Sequence, residues 1–165
     1  MEKEKITAIL TGIFLILLFL ISIGNNYYTD YSDFCKKDTN CLIDLAKESS
    51  NFELCNKAEN KNLCYLNSAI FTQNESLCEK TINNSEISKC YNQIAIIKND
   101  ITLCNKTKKN ENCIFQIAIN TNNYNLCNLI NNSEKCIYSF AYYKKNISIC
   151  DLSGKYIKTC KNKLK

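Results

Sequence analysis

The chain has 165 residues, including 12 Cys, 25 Asn and 21 Lys, and no His, Trp, Pro or Arg. Without His there is no Ser-His-Asp or Cys-His nucleophile and no H-E-x-x-H zinc helix, and without Arg there is no bidentate clamp for a carboxylate or phosphate. The three Gly, at 12, 24 and 154, are not spaced for a P-loop or a dinucleotide fingerprint, and 45% apolar residues with a net charge of +5 describe an ordinary globular chain rather than a disordered one.

In chain order, a leader over residues 1–5 precedes an uncharged apolar run from Ile6 to Ile23. Eighteen residues at about 1.5 Å each make roughly 27 Å of helix, close to the thickness of a hydrocarbon core. A transmembrane anchor over residues 6–24 is therefore expected. A cleaved signal peptide is the alternative, with Ser22 and Gly24 as small residues at the cut, but the run is longer than a usual signal core and Glu2 and Glu4 dilute the leader's charge. Lys3, Lys5 and the amino terminus lie before the span, and no Lys follows it until Lys36, so the N-terminus is expected in the cytoplasm and the bulk of the chain outside. All 12 Cys also lie beyond the span, as disulfides in an oxidising compartment require.

After a linker over residues 25–33, the segment 34–165 is an array. The step is 14 residues from Cys41 to Cys55, Cys64 to Cys78, Cys90 to Cys104, Cys113 to Cys127 and Cys136 to Cys150, while the intervening steps are 6, 9, 12, 9, 9 and 10. Constant steps mark a rigid unit and variable ones mark loops that accept insertions, giving a period of about 23 residues. Five positions after the first Cys every unit has Ala: Ala46, Ala69, Ala95, Ala118 and Ala141. Offsets one and four are mostly apolar (Leu42 and Leu45, Tyr91 and Ile94, Ile114 and Ile117, Ile137 and Phe140), with Ser68 as the exception. These offsets share one side of a helix, so this segment is an amphipathic α-helix whose Ala marks a close helix approach. Ten positions after the first Cys stands Asn51, Asn74, Asp100, Asn123 or Asn146, the expected N-cap of a second, shorter helix carrying Leu-Cys or Ile-Cys. Neither helix is long enough to stand alone. The expected fold is all-α: a transmembrane helix followed by a disulfide-clipped α-hairpin solenoid.

Two pairings of the cysteines fit the repeat. Pairing within the constant step strands Cys35 and Cys160. Pairing across the variable step joins Cys35–Cys41, Cys55–Cys64, Cys78–Cys90, Cys104–Cys113, Cys127–Cys136 and Cys150–Cys160 with no thiol left over, and facing positions around a hairpin suit disulfide geometry. Metal or redox chemistry asks for C-x-x-C or similar spacing, whereas the closest pair here has five residues between.

Charge is uneven. Residues 25–100 hold 8 Lys against 11 acidic residues, net −3, and residues 101–165 hold 11 Lys against Glu111, Glu134 and Asp151, net +8. Lys155, Lys158, Lys161, Lys163 and Lys165 crowd the carboxy terminus as a candidate contact for an acidic polymer. Five N-x-S/T sequons occur, at Asn74, Asn83, Asn105, Asn131 and Asn146. Asn74 and Asn146 double as caps, so Asn83 and Asn105, in variable loops, are the candidate glycosylation sites. Tyr138, Phe140, Tyr142 and Tyr143 have the spacing of a partly buried helix stripe. Asp44, Glu48 and Glu53 form no evident acid pair.

The unit of Cys, apolar residues, Ala, then Asn or Asp with Leu-Cys resembles the short Cys-paired α-hairpin repeats of membrane-anchored archaeal proteins, and covers about residues 34–160. It is loosely similar to tetratricopeptide repeats, with a shorter period and without that family's Trp and Pro marks. The resemblance implies no activity. The expected function is a non-catalytic, membrane-anchored cell-surface scaffold or binding protein without a cofactor or metal site. Its expected partners are membrane lipid through the anchor and another envelope protein or an acidic surface polymer, and no nucleic acid. A thiol-based metal-binding or redox protein of the envelope is the alternative.

Overall fold

The computed structural model describes residues 13–18, 20 and 33–165. Residues 13–18 and 20, inside the expected anchor, are helical with exposed apolar side chains such as Phe14 and Leu15. The rest of that span, the leader and almost all of the linker lie outside the described residues. Among the described residues no helix is long and apolar enough to cross a membrane. All regular secondary structure among them is helical.

The chain divides into two compact units, 1–64 and 65–165. In the first, a helical turn over 33–35 leads to α1 (Thr39–Ser49), then a 3-10 helix η1 (Phe52–Lys57) packed on α1. Asp38 caps α1, its carboxylate accepting the Cys41 N–H at 2.8 Å. Leu42, Ile43, Leu45 and Ala46 form the buried stripe of α1, and η1 adds Leu54 and Cys55. Helix α2 (Lys61–Thr72) begins in this unit and ends in the next.

The second unit continues with η2 (Glu75–Lys80), α3 (Asn84–Lys98), η3 (Ile101–Lys106), α4 (Asn110–Thr121), η4 (Tyr124–Leu129), α5 (Ser133–Lys144), η5 (Ile147–Leu152), η6 (Gly154–Tyr156) and α6 (Ile157–Leu164). The 3-10 helices η3, η4 and η5 each pack against the α-helices before and after them, and α3, α4, α5 and α6 pack in sequence on one another. The core is the repeat pattern made solid. All five repeat alanines are fully buried, as are Cys55, Cys64, Cys78, Cys90, Cys104, Cys113, Cys127, Cys150 and Cys160.

The second helix of each repeat is a six-residue 3-10 helix, not a short α-helix. Ending α2 to α5, a non-glycine residue turns left-handed (Gln73, Asn99, Asn122, Lys145, φ 52–54°). The next residue then donates its N–H to the repeat alanine: Asn74 to Ala69, Asp100 to Ala95, Asn123 to Ala118 and Asn146 to Ala141, at 2.9–3.0 Å. That is the six-to-one bond of a Schellman end. The same Asn or Asp caps the 3-10 helix after it, its side chain accepting the N–H two residues on, at Ser76, Thr102, Asn125 and Ser148. One polar residue thus closes one helix and opens the next. Burial of its side chain accounts for the repeat alanine, and at four of the five positions its carbonyl accepts the closing bond.

Insertions in the variable step enter helices as well as loops. After steps of nine, α2, α4 and α5 each have 12 residues and start three before their Cys; after the step of twelve, α3 has 15 and starts six before it. The three extra residues add most of one more helical turn ahead of the Cys, whose face is set by the unchanged five-residue spacing to Ala95.

Candidate functional site

The six disulfides join Cys35–Cys41, Cys55–Cys64, Cys78–Cys90, Cys104–Cys113, Cys127–Cys136 and Cys150–Cys160, with Cα separations of 5.4–5.7 Å, and no cysteine is free. Each bridge spans the variable step and staples a 3-10 turn, or at 33–35 a helical one, to the α-helix after it. Six bridges belong to an oxidising, extracytoplasmic environment. Closing a loop of about ten residues stabilises by about 2–3 kcal/mol in the chain-entropy picture. Among the described residues no group of three or more His, Cys, Asp or Glu is placed to hold a metal ion.

Two further repeated positions carry structure that the Cys and Ala pattern does not reveal. Two residues before the first Cys stands a side-chain acceptor that takes a backbone N–H of the next turn: Thr39 from Asn60 at 3.1 Å, Ser88 from Lys108 at 2.8 Å, Glu111 from Asn131 at 3.2 Å. Glu134, at the same offset, lies against Gly154 (φ 53°), where any Cβ would collide with its carboxyl group. The signal is present in the sequence, since that offset holds Thr39, Asn62, Ser88, Glu111 and Glu134, an acceptor every time. Three residues after the second Cys, Thr81, Thr107 and Ser153 turn a hydroxyl onto that Cys carbonyl at 2.7–2.9 Å, while Ala58 and Ile130 fill the equivalent place with apolar side chains.

The sequons are largely explained by capping. Asn74 and Asn146 each accept both the N–H and the hydroxyl of the Ser two residues on. Asp100 does the same with Thr102, and an Asp carries no sugar, so the motif at this offset is a structural pair. Asn83 caps too: it is the N-cap of α3, exposed, its Oδ1 accepting from Ser85 N–H at 2.8 Å. Asn105 is exposed near the end of η3.

Several charged side chains are engaged with each other. Lys98 lies 2.7 Å from Glu75, and its hydrogen bond holds that carboxyl below its usual range. Tyr91, buried on α3, donates to Glu79 at 2.8 Å and accepts from Lys106 at 3.3 Å. Burial first, and Glu79 second, push the Tyr91 hydroxyl up, and the bond to Tyr91 pushes the Lys106 ammonium up. Both shifts hold the protons in place, the reverse of an activated nucleophile or base. Asp44 pairs with Lys47, and Glu53 accepts from Asn56, while Glu48 is exposed.

At the carboxy terminus the lysines do not form one cluster of free charges. Lys161 pairs with Asp151, Lys163 lies over the Tyr142 ring at 5.9 Å, and Lys155 lies over Tyr156 at 5.5 Å; Lys158 and Lys165 are exposed. Tyr142, Tyr138 and Tyr156 stack in order, at 6.5 and 5.6 Å, so two ammoniums cap an aromatic column from α5 to η6. Phe140 is core, edge-on to Tyr124, and Tyr142 and Tyr143 are more than half exposed. Comparison with protein-family models, with curated proteins and with solved structures finds no match.

Proposed function

We propose that the chain is a non-catalytic scaffold of the cell envelope: a disulfide-clipped α-hairpin solenoid, anchored through Ile6–Ile23 with its amino terminus in the cytoplasm, that presents an outer surface to an acidic polymer or another envelope protein. The observation that carries this reading is that all twelve cysteines are committed to the bridges of successive hairpins. In the rival reading, a thiol-based metal or redox protein, those sulfurs must be thiolates. A solenoid offers extended surface, and the order of packing from α3 to α6, each helix on the next, supports that architecture for residues 84–164. The excess of Lys after residue 100 supports the sign of the partner.

Counting free thiols together with bound Cu and Zn, on protein taken from its natural compartment, tests the reading. Near-zero thiols and no stoichiometric metal are expected. Many thiols with bound metal reverse the ranking of the two readings.

A further inference from the structure

The backbone makes the same cleft at two successive junctions, and the side chains make it different. Between α3 and the turn leading into α4, a cleft of about 260 Å³ is lined by Lys89, Lys108 and Lys109 among Ser, Thr and Asn side chains. One repeat later, between α4 and the turn leading into α5, a cleft of about 240 Å³ uses the positions 23 residues on. There Glu111 replaces Ser88, Asn112 replaces Lys89, Phe115 replaces Asn92 and Ile130 replaces Thr107. The cleft itself is thus a product of stacking hairpins, but its chemistry is not. The first carries three Lys and no carboxylate, the second one Lys, an acid and two large apolar groups.

We infer that the cleft between α3 and α4 binds an anionic saccharide, its carboxylate or sulfate held by Lys89, Lys108 and Lys109 and its hydroxyls by Asn92, Asn112 and Ser85. This deepens the proposed scaffold function and rests on it, since it names the chemistry of an acidic partner. Three lysines on the lining of one concavity give it a positive potential, which an anion neutralises. Elsewhere lysines meet carboxylates, as Lys57 does Asp33 and Lys161 does Asp151. No acid on the cleft wall neutralises these three. Their neighbours select a polyhydroxylated ligand. Each carboxamide of Asn92 and Asn112 offers donors and an acceptor at once, which suits adjacent sugar hydroxyls. Ser88 and Thr107 have already turned toward the protein, Ser88 accepting from Lys108 N–H and Thr107 donating to the Cys104 carbonyl, so the floor of the cleft is fixed before a ligand arrives. No aromatic side chain lines it, so a nucleotide base finds no stacking platform. The volume, about 260 Å³, lies just below the roughly 300 Å³ at which small-molecule pockets begin, room for one part of a short sugar chain.

The test is calorimetric titration of the oxidised full chain in detergent at physiological ionic strength with oligogalacturonate trimer, maltotriose and inorganic phosphate. The trimer is expected to bind, and maltotriose and phosphate at least tenfold more weakly. The triple variant Lys89→Gln, Lys108→Gln, Lys109→Gln should weaken trimer binding at least tenfold. Lys36→Gln, Lys37→Gln, Lys61→Gln, which removes the same charge in the first unit, should change it less than twofold. Asn92→Phe copies the neighbouring cleft without altering charge and should also abolish binding. Equal losses from the two triple variants, indifference to Asn92→Phe, phosphate matching the trimer, or no binding of the trimer each overturn the proposal. A thiol and metal count on the same sample separates that failure from failure of the scaffold reading.

Discussion

The joint after α1 and the joints after α2, α3, α4 and α5 occupy the same place in the repeat yet are held differently. In the second unit, Asn74, Asp100, Asn123 and Asn146 send their N–H back to a repeat alanine and accept the N–H two residues ahead. In the first, Asn51 caps nothing with its side chain, and its N–H goes to the Ser49 hydroxyl at 3.3 Å, which itself donates to the Leu45 carbonyl at 2.6 Å. Backbone is not the cause, because Asn51 (φ −102°, ψ 86°) and Asn123 (φ −116°, ψ 91°) are nearly alike, and Ser50 turns left-handed as its counterparts do. What differs is the hydrogen bonding: Ser49 takes the N–H, which Thr72 and Thr121 at the same offset leave to the alanine, and Glu53 follows the joint where Ser76, Thr102, Asn125 and Ser148 follow the others. The disulfide just beyond this joint, Cys55–Cys64, ties the turn to the next helix, as the corresponding bridges do at the other joints.

The bridges should therefore give the largest effects in both units. Replacing Cys104 and Cys113 together with Ala should cost about 2–3 kcal/mol in urea unfolding, with a further loss from the buried volume removed. The Cys35–Cys41 pair closes a shorter step and should cost a few tenths of a kcal/mol less. Replacing one partner alone should do more harm, because the freed thiol can attack the remaining bridges, visible as scrambled species on non-reducing gels.

Next come the alanines. Ala46 and Ala118 are both fully buried, and Leu at either should overpack the core by about 1–3 kcal/mol. A harmless Ala46→Leu with a damaging Ala118→Leu would mean that the first unit is more loosely packed, sharpening the contrast between the units.

Capping gives the most selective comparison. Asp100→Ala should cost about 1 kcal/mol, by loss of the bonds from Thr102 N–H and hydroxyl. Asn51→Ala should cost only a few tenths of a kcal/mol, since no cap bond is lost. Equal losses would break the distinction between the two kinds of joint.

The smallest effect is a pH dependence. Hydrogen bonds from Thr102, side chain first and then backbone, hold the Asp100 carboxyl below its ordinary range. A depressed folded value means that the unfolded chain binds the proton more readily, so the contribution is complete above the unfolded aspartate value of about 3.9 and is lost as pH falls through the lower folded value. Glu75, lowered chiefly by its bond from Lys98, adds in the same direction but is substantially exposed. Thermal melts between neutral pH and acid should show a shallower acid loss for Asp100→Asn, which retains the capping oxygen.

Much of this organisation is legible in the sequence because cysteine spacing and the Ala offset are one-dimensional facts. Constant steps of 14 and the ten-residue offset to Asn or Asp lead to the hairpin and its staple. The 3-10 form of the second helix is not legible, because six residues fall below the length at which periodicity distinguishes helix types. Nor are the left-handed ends, since Gln73 and Lys145 occupy a conformation where a sequence reader looks for Gly. Asn83 misleads for a related reason: the three residues inserted before Cys90 lengthen α3 and turn an expected loop residue into its cap. The carboxy-terminal lysines read as one patch, and the sequence does not reveal that Lys161, Lys163 and Lys155 meet Asp151, Tyr142 and Tyr156. The basic cleft is hidden in the sequence because its walls come from residues about 20 apart that only the packing of α3 on α4 brings together.

The disulfide map tests the central claim most directly. Digestion without reduction, followed by mass spectrometry of the linked peptides, should recover neighbours joined across each variable step, from Cys35 with Cys41 to Cys150 with Cys160. Recovery of Cys41 linked to Cys55, or of Cys35 linked to Cys160, would place the bridges inside the constant unit or between the ends of the array and contradict the account.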